Sequence, residues 1–311
     1  MTTTATNRKP IRYRSITYFD AVRRHGSIRE AARKLGVAAS AINRQLIQFE
    51  TDVGMPLFER FANGMKLTAA GEVFARHVLT VLQDARRAAD ELDSLRGLRR
   101  GELSIVTVES LGAAVLPDLL AGMATRYPGV KLTVKSAGSN QIPIIVASGT
   151  ADVGLAFSLG HHPELQQLGT GRFRLGAIMR PEHPLAREKQ VTFSECAVHP
   201  VILPTEELSI HTVLLPHLTR FAGKMQVVAE VGSLELMKNL TLKLGAISFQ
   251  TQLGLEAELK SKKLVHVPLQ SSGPVTTDLG IYVRRGRTFP AALDAFVALV
   301  REQLGELEKD R

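Results

Sequence analysis

Apolar residues recur at helical spacing through the first part of the chain. The pattern predicts a first helix that ends near Gly26 and a second that ends at Gly36, because glycine commonly terminates helices. A third helix carries Ile42, Leu46 and Phe49 on one face, at intervals of four and three residues. Three short helices joined by glycine turns indicate a small helical module at the head of the chain.

The second and third helices have the pattern of a helix–turn–helix. Ser27 and Glu30 have the spacing of a capping box, in which each side chain caps the other residue's backbone amide. A short turn at Val37 leads into the third helix, which in this motif enters the major groove of DNA. Outward positions near the start of that helix can reach bases or phosphates. These positions are Ala38, Ala39, Ser40, Asn43 and Arg44.

A hairpin and a long helix are predicted next. Asn63 followed by Gly64 is a strong hairpin turn signal. Thr68 suits an N-cap, and neither proline nor glycine interrupts positions 72–96. Apolar residues then recur at alternating intervals of four and three, namely Phe74, Val78, Val81, Ala85, Ala88, Leu92 and Leu95. Such a heptad seam between charged residues predicts pairing with a second copy. The alternative is an amphipathic helix packed on its own domain.

The second half of the chain alternates between β-branched strands and helices. One set begins with a strand over 103–108 and a single helix over 111–129 that ends in a Pro-Gly turn, and a second set begins near 171–177. Successive βα units favour a parallel sheet with helices on both faces. The expected fold class is therefore α/β, with two α/β lobes following the helical module.

Nearly all of the excess positive charge lies in the N-terminal third of the chain. Residues 1–100 contain 18 Lys and Arg against 10 Asp and Glu, whereas residues 101–311 contain 21 against 20. The net charge is thus +8 in the first part and +1 in the second. Concentrated positive charge suits phosphates or an anionic membrane surface. No basic amphipathic helix or apolar anchor is visible near the N-terminus, so double-stranded DNA is the expected partner.

Other classes of protein lack support in the sequence. The first residues have no apolar stretch of a signal peptide and no later run is long enough to cross a bilayer, so we expect a cytoplasmic protein without a membrane partner. The single cysteine, Cys196, fits a reducing compartment.

No serine-hydrolase elbow, P-loop, zinc-peptidase or paired-cysteine motif is present. His161 and His162 suit a polar loop better than a metal site. We expect no enzyme activity, no metal and no cofactor.

The stretch AARKLGVAASAINRQLIQFETDVGMPLFERFANGMKLTAAG, at positions 31–71, resembles the LysR-type transcriptional regulators. The resemblance implies a winged helix–turn–helix in which Phe58 anchors the wing. It also implies that the long helix is a linker that pairs two subunits and spaces their recognition helices. Further DNA contacts are then expected on the second helix and the wing, from Ser27, Arg33, Lys34, Arg60, Asn63 and Lys66.

The chain departs from this family at the start of the recognition helix. Many members have a polar pair such as Ser-Gln there, whereas this chain has Ala38 and Ala39. Alanine cannot form hydrogen bonds with a base edge through its side chain. Specificity must therefore rest on Ser40, Asn43 and Arg44, or on the shape of the DNA.

Residues 101–311 look like the two-lobed effector domain of the same family, which shares its fold with periplasmic solute-binding proteins. The resemblance is looser than in the head and rests on five short motifs: VLP at 115–117, YPGV at 127–130, GTADVGLAF at 149–157, HPLA at 183–186 and LKLGAISF at 242–249. It implies a periplasmic-binding-protein-like domain that binds a small molecule between its lobes.

A ligand in such a fold lies beyond the carboxyl ends of the strands. The residues expected there follow strands or open helices, and they are Ser110, Ser139, Asn140, Pro204, Thr205, Gly232, Ser233 and Phe249. Their hydroxyls can instead simply cap helices and turns. Glu109 and Glu230 border the expected cleft, and an acidic group there disfavours a carboxylate effector unless a cation balances it.

The sequence thus predicts a DNA-binding domain at 11–67, a dimerisation helix at 68–97, and an effector domain at 101–311 after a hinge at 97–101. Lobe I is expected at about 101–175 and 276–311, and lobe II at about 176–275. The predicted function is sequence-specific DNA binding as a homodimer or homotetramer, modulated by an unidentified small molecule and acting on RNA polymerase. Two alternatives stay open: a carrier or enzyme on the solute-binding fold, and an architectural DNA binder without an effector.

Overall fold

The computed structural model describes residues 12–95, 101–113, 115–221, 223–286 and 289–309. Two compact units divide near residue 92. No helix within the described ranges is both long enough and apolar enough to cross a membrane. Positions 11, 97 and 311, which bound the predicted domains, lie outside the described residues, as does most of the predicted hinge.

Three helices form the first part of the N-terminal unit: α1 (Tyr13–His25), α2 (Ile28–Leu35) and α3 (Ala39–Val53). The first two end at glycines in the left-handed conformation, as the sequence predicts. The apolar stripe of α3 is buried in a common core with α1 and α2. The helix–turn–helix is therefore confirmed, and its core fixes which face of α3 remains outside.

The wing is a two-stranded antiparallel hairpin of β1 (Phe58–Phe61) and β2 (Gly64–Leu67). Glu50 in the last turns of α3 holds its start, because Oε1 accepts hydrogen bonds from the backbone N–H groups of Leu57 at 2.7 Å and Phe58 at 3.0 Å. The Phe58 ring lies 5.0 Å from that of Phe19 in the helical core. The wing is thus fixed to the end of the recognition helix.

The long helix α4 (Ala69–Leu95) begins as predicted at Thr68, whose Oγ1 accepts a hydrogen bond from the Gly71 N–H at 3.0 Å. Its first turns pack against the helical module through Ala75, Val78 and Leu82. These turns therefore belong to the N-terminal core.

Lobe I contains a five-stranded sheet with strand order β4-β3-β5-β13-β6. Its strands are β3 (Gly101–Thr107), β4 (Val130–Ser136), β5 (Val153–Phe157), β6 (Leu165–Arg174) and β13 (Thr276–Arg284). Its helices are α5 (Glu109–Ala113), α6 (Leu116–Arg126), α7 (Ile142–Ala147) and α12 (Ala291–Lys309). Apolar residues of α6, α7 and α12 pack with residues of the sheet in one hydrophobic core.

Lobe II contains a four-stranded sheet, β11-β7-β12-β8, and a parallel pair, β9 and β10. Its strands are β7 (Gly176–Met179), β8 (Val191–Thr192), β9 (Pro200–Pro204), β10 (Gln226–Val231), β11 (Ser248–Gln250) and β12 (Val265–Gln270). Its helices are α8 (Phe193–Cys196), α9 (Ser209–Arg220), α10 (Leu234–Leu244) and α11 (Glu256–Lys260). The chain enters this lobe between β6 and β7 and leaves it between β12 and β13.

Two details of the predicted α/β part are wrong. The sheet of lobe I is mixed, because β13 runs antiparallel to both β5 and β6. The chain reaches β13 from lobe II, and not through a helical crossover that would make it parallel. The helix expected after β3 is divided into α5 and α6, with Pro117 in the first turn of α6, where proline is well tolerated.

Candidate nucleic-acid interface and effector cavity

The outer face of α3 presents the residues that the sequence predicts for DNA. Ala38, Ser40 and Arg44 are exposed, whereas Ala39 and Asn43 are half-buried. The opposite face of the helix is held in the core, so this face is the one free to enter a groove. The first two turns of α3 therefore combine small side chains, which permit close approach, with one exposed guanidinium.

A hydrogen bond joins the wing to the recognition helix. Arg60 on β1 donates through Nη2 to Oδ1 of Asn43 at 2.8 Å. The amide oxygen of Asn43 is thereby occupied, and its NH₂ group remains as the donor. Both residues are predicted to contact DNA, but their pairing leaves no signal in the sequence, because they lie 17 positions apart and no local pattern connects them.

The turn of the wing differs from the predicted one by a residue. Ala62 and Asn63 form the turn, and Gly64 is already the first residue of β2, with φ of +140°. The Met65 N–H donates to the carbonyl oxygen of Gly26 at 2.7 Å. A Cβ on Gly64 would lie only 2.5 Å from that same oxygen. Glycine is required here because the wing rests on the turn between α1 and α2.

Gly64→Ala is therefore expected to destabilise the N-terminal unit by about 1–3 kcal/mol, through the clash and the unfavourable φ. Urea unfolding of the full chain measures the loss. Gly122→Ala is the control, because a Cβ on this α6 residue meets no atom within 4 Å. Equal stability of the two variants would contradict the proposed role of Gly64.

The predicted capping box at the start of α2 is wrong. Ser27 is the N-cap residue, but its side chain accepts no hydrogen bond from the helix. The carboxylate of Glu30 instead accepts from Nε of Arg33 at 3.1 Å, and this hydrogen bond lowers the pKa of Glu30. The exposed guanidinium of Arg33 is thus paired within the chain, whereas Lys34 is simply exposed.

On the wing, Asn63 is exposed and the ammonium of Lys66 lies 5.5 Å from the ring centroid of Phe61.

The predicted seam of α4 has two parts. Val78 has no exposed surface, and the Phe74 ring lies 5.0 Å from that of Phe49. These two positions pack in their own chain and so cannot be the main contacts of a dimer, which corrects the sequence interpretation. Farther along, Val81 and Ala85 are half-buried, whereas Ala88 is exposed and Leu92 is 57 % exposed. The side chain of Leu95 lies outside the described part of the chain.

A cavity of about 430 Å³ lies between the lobes of the C-terminal unit. Residues that follow β3 and β4 line it from lobe I, and residues that follow β9 and β10 line it from lobe II. Strands β3 and β4 are parallel, as are β9 and β10, so the cavity lies at their carboxyl ends. Its volume is in the range of sites for small metabolites.

Three of the eight predicted effector residues line this cavity: Ser110, Ser139 and Gly232. Two others lie beside it and bond within the chain. Thr205 donates its hydroxyl hydrogen bond to the carboxylate of Glu207, and Ser233 caps α10 by accepting from the Leu236 N–H at 3.3 Å. Asn140 is exposed and is not among the lining residues.

Two predicted effector residues are packed in the protein interior, which corrects the sequence interpretation. Phe249 has no exposed surface, and its ring stacks on that of Phe193 with centroids 5.2 Å apart. Pro204 is buried at the end of β9. All three residues of β11 are buried, so this strand has no solvent face and its alternation carries no signal for a ligand.

Glu109 connects the two lobes. Its carboxylate accepts a hydrogen bond from the Ser233 hydroxyl at 3.0 Å and from the Leu234 N–H at 3.1 Å. Leu234 is the first residue of α10, so the carboxylate of lobe I lies at the positive end of a lobe II helix. Glu230, which the sequence also placed near the cleft, is exposed and does not line the cavity.

Several lining residues are absent from the sequence prediction. The polar ones come from both lobes and include Ser136, Glu207, Ser209, Thr251 and Thr277. Ser209 is the first residue of α9. Pro216 lies inside this helix, and because proline usually breaks helices, the sequence pattern does not indicate one here. Thr277 lies on β13, which pairs with strands far away in the sequence.

The only cysteine of the chain is shielded from reagents. Cys196 lies fully buried in α8, and burial raises the pKa of its thiol to about 12. Because the thiolate is the reactive form, Cys196 is expected to resist a thiol reagent such as DTNB at pH 8 and to react fully in guanidinium chloride. Complete reaction of the native chain within minutes would contradict this placement.

Two family models match the chain. Residues 13–72 match the "bacterial regulatory helix-turn-helix protein, lysR family", and residues 96–305 match the "LysR substrate binding domain". Together they account for both units described above. The second match alone spans more than half of the chain.

Known proteins resemble the chain along nearly its whole length. The HTH-type transcriptional regulator CbbR of Rhodospirillum rubrum is 28% identical, over 94% of this chain and 96% of that protein. The RuBisCO operon transcriptional regulator of Allochromatium vinosum is 25% identical, over 94% and 97%.

Solved structures share the fold. A full-length OxyR variant from Pseudomonas aeruginosa superposes with a TM-score of 0.76 at 14% identity, over 94% of this chain and 95% of that one. Full-length CbnR complexed with its target DNA gives 0.55 at 22% identity, over 94% and 99%. With the helix–turn–helix, its wing and the two-lobed domain in place, the chain belongs to the LysR family of transcriptional regulators and is a regulator, not an enzyme.

Proposed function

We propose that the chain binds an interrupted inverted repeat in promoter DNA as a dimer, or as a tetramer of two dimers, and that an effector in the interlobe cavity controls the outcome. The family is one of transcriptional regulators with an effector-binding domain. Two copies related by a twofold axis present two recognition helices, so they require two half-sites of opposite direction.

The observation that carries this proposal is the cationic rim around the start of α3. Arg44 on the helix and Arg60 and Lys66 on the wing are all exposed. The hydrogen bond from Arg60 to Asn43 fixes the wing relative to the helix. Residues 1–100 also carry a net charge of +8. A fixed, exposed set of cations is suited to the regular spacing of phosphates along a groove.

The proposed DNA contacts fall into two groups, those to base edges and those to phosphates. Ser40, Asn43 and Arg44 are proposed to reach base edges, and Ala38 and Ala39 to pack against thymine methyl groups. Cationic and polar side chains around them are proposed to hold phosphates and set the orientation, without reading sequence. This second group is Ser27, Arg33, Lys34, Arg60, Asn63 and Lys66.

DNA binding is proposed to reside in residues 11–67, dimerisation in 68–97 and effector binding in 101–311. The dimer contacts are assigned to the outer part of the seam, at Val81, Ala85, Ala88, Leu92 and Leu95. Val81 lies at the edge of the part of α4 that packs on the N-terminal core, and the other four positions continue the heptad pattern beyond it.

Effector binding is proposed to act as a population shift. The cavity is lined from both lobes, so a ligand that touches both favours one lobe arrangement over another. Through the paired α4 helices this changes the placement of the DNA-binding modules, and thereby the DNA path that RNA polymerase meets. Such a regulator acts where the chromosome is, in the cytoplasm.

Selection of bound sequences from a random DNA pool tests the proposal. We expect the full chain to enrich an inverted repeat whose half-site centres lie a whole number of helical turns apart, about 10 base pairs per turn. Enrichment of a single half-site would contradict the dimer. Enrichment of no sequence at all would favour the architectural alternative.

A further inference from the structure

The interlobe cavity carries negative charge and no lining positive charge. Glu109 lines it from lobe I and Glu207 from lobe II. No lysine, arginine or histidine is among the described residues that line it. Its other polar groups are mainly serine and threonine hydroxyls, and its apolar wall includes Val108, Phe157 and Leu208.

Both carboxylates are held by neutral donors, which leave their charge in place. Glu109 accepts from the Ser233 hydroxyl and the Leu234 N–H. Glu207 accepts from the Thr205 hydroxyl, and this hydrogen bond lowers the pKa of Glu207, with a smaller electrostatic effect from His211. The side chain of Glu207 is exposed towards the cavity, so it can receive a further donor.

A buried hydroxyl in the same cavity lacks a partner. Ser110 is 5 % exposed, lines the cavity, and its Oγ has no hydrogen-bond partner in the described structure. An unpaired buried polar atom is costly, and native structures rarely leave one without a purpose. This atom is therefore available to a polar group of a bound molecule.

One helix N-terminus at the cavity is already occupied by an acidic side chain of the chain itself, whereas α9, whose Ser209 and Ile210 also line the cavity, begins without a side-chain cap. The N-terminus of an α-helix attracts anions, and α10 begins at the wall of the cavity. The carboxylate of Glu109 lies on that N-terminus and satisfies it from within the chain. A ligand carboxylate or phosphate would meet two like charges without a cation to balance them.

We propose that this cavity binds a small molecule with a protonated amine, which Glu109 and Glu207 receive, while Ser110 binds a second polar group and the apolar wall holds the body of the molecule. The inference rests on the proposed effector role of the cavity and specifies its ligand. Because the two carboxylates belong to different lobes, one bound cation favours the closed arrangement.

Matched amines, alcohols and acids test the charge of the ligand. The probes are tyramine, tyrosol and 4-hydroxyphenylacetate, together with diamines, diols and dicarboxylates of three to six carbons. Binding to the full chain is measured by calorimetry and by the shift in melting temperature. We expect saturable binding by amines, weaker binding by the corresponding alcohols and none by the acids.

Variants test the named residues. Glu207→Gln is expected to weaken amine binding by more than about tenfold. Glu206→Gln is the matched control, because this neighbour is exposed and does not line the cavity. Ser110→Ala is expected to weaken amine binding severalfold while leaving the melting temperature of the free protein unchanged or raised, since it removes an unpaired hydroxyl.

The inference is overturned if the acids bind as tightly as the amines, if no amine binds, or if Glu207→Gln leaves amine affinity unchanged. Operator binding by the same samples separates this failure from failure of the proposed function. Operator binding without amine binding rejects only the amine. Amine binding without selection of any DNA sequence rejects the proposed DNA role.

Discussion

Arg44→Ala is expected to weaken binding to the selected operator by about 1–3 kcal/mol, roughly five- to 150-fold in affinity. Arg44 is the exposed guanidinium of α3, and the exposed residues before it on the helix, Ala38 and Ser40, have short side chains that cannot replace its contact. The loss should be largest for the selected sequence and small for random DNA, because base contacts carry specificity. Titration by fluorescence anisotropy at fixed salt measures both affinities.

Lys224→Ala provides a charge-matched control for this experiment. Lys224 is exposed on the other unit, so its removal lowers the net charge equally without touching α3. An equal loss of affinity in both variants would show that only net charge matters. An equal loss on operator and random DNA by Arg44→Ala would assign Arg44 to a phosphate.

Ala88→Glu is expected to convert the dimer to a single chain and to reduce operator affinity by about a hundredfold or more. The substitution puts a charge into the outer seam of α4, where an apolar contact with the second copy is proposed. Without the pairing, the second half-site is no longer bound intramolecularly and avidity is lost. Light scattering gives the mass, and anisotropy gives the affinity.

Ala89→Glu makes the same chemical change one position farther along, outside the seam. Both residues are exposed in the single chain, so neither variant should disturb the fold. Unchanged mass for Ala88→Glu, or equal effects of the two substitutions, would place the dimer contact elsewhere.

Local patterns in the sequence predict the three helices of the DNA-binding unit. The glycine ends of α1 and α2 and the apolar stripe of α3 depend on residues within a few turns of each other. The contacts that orient the wing, such as Glu50 with Leu57 and Arg60 with Asn43, have no such local signal. They appear only when the elements are folded together.

The seam of α4 shows what a periodic pattern of apolar residues can and cannot predict. A heptad pattern states that one face is apolar but not what covers it. The start of the seam, at Phe74 and Val78, packs on the chain itself, whereas Ala88 and Leu92 are exposed. The same repeat therefore serves two kinds of contact.

The effector cavity was only partly accessible to sequence reasoning. Loop residues after parallel strands could be placed at one edge, which located Ser110 and Ser139. Thr277 could not be found because antiparallel pairing of β13 is non-local. Phe249 was misplaced because a strand buried on both faces gives no alternation. The role of Glu109 depends on a contact across 125 positions.

Hydroxyl-radical footprinting of the full chain on its selected operator shows whether two recognition helices bind DNA as one pair. We expect two protected half-sites on one face of the duplex, with loss of both in Ala88→Glu at concentrations that saturate the unmodified chain. One protected half-site, or protection that Ala88→Glu leaves intact, would contradict a pair of recognition helices held together by α4.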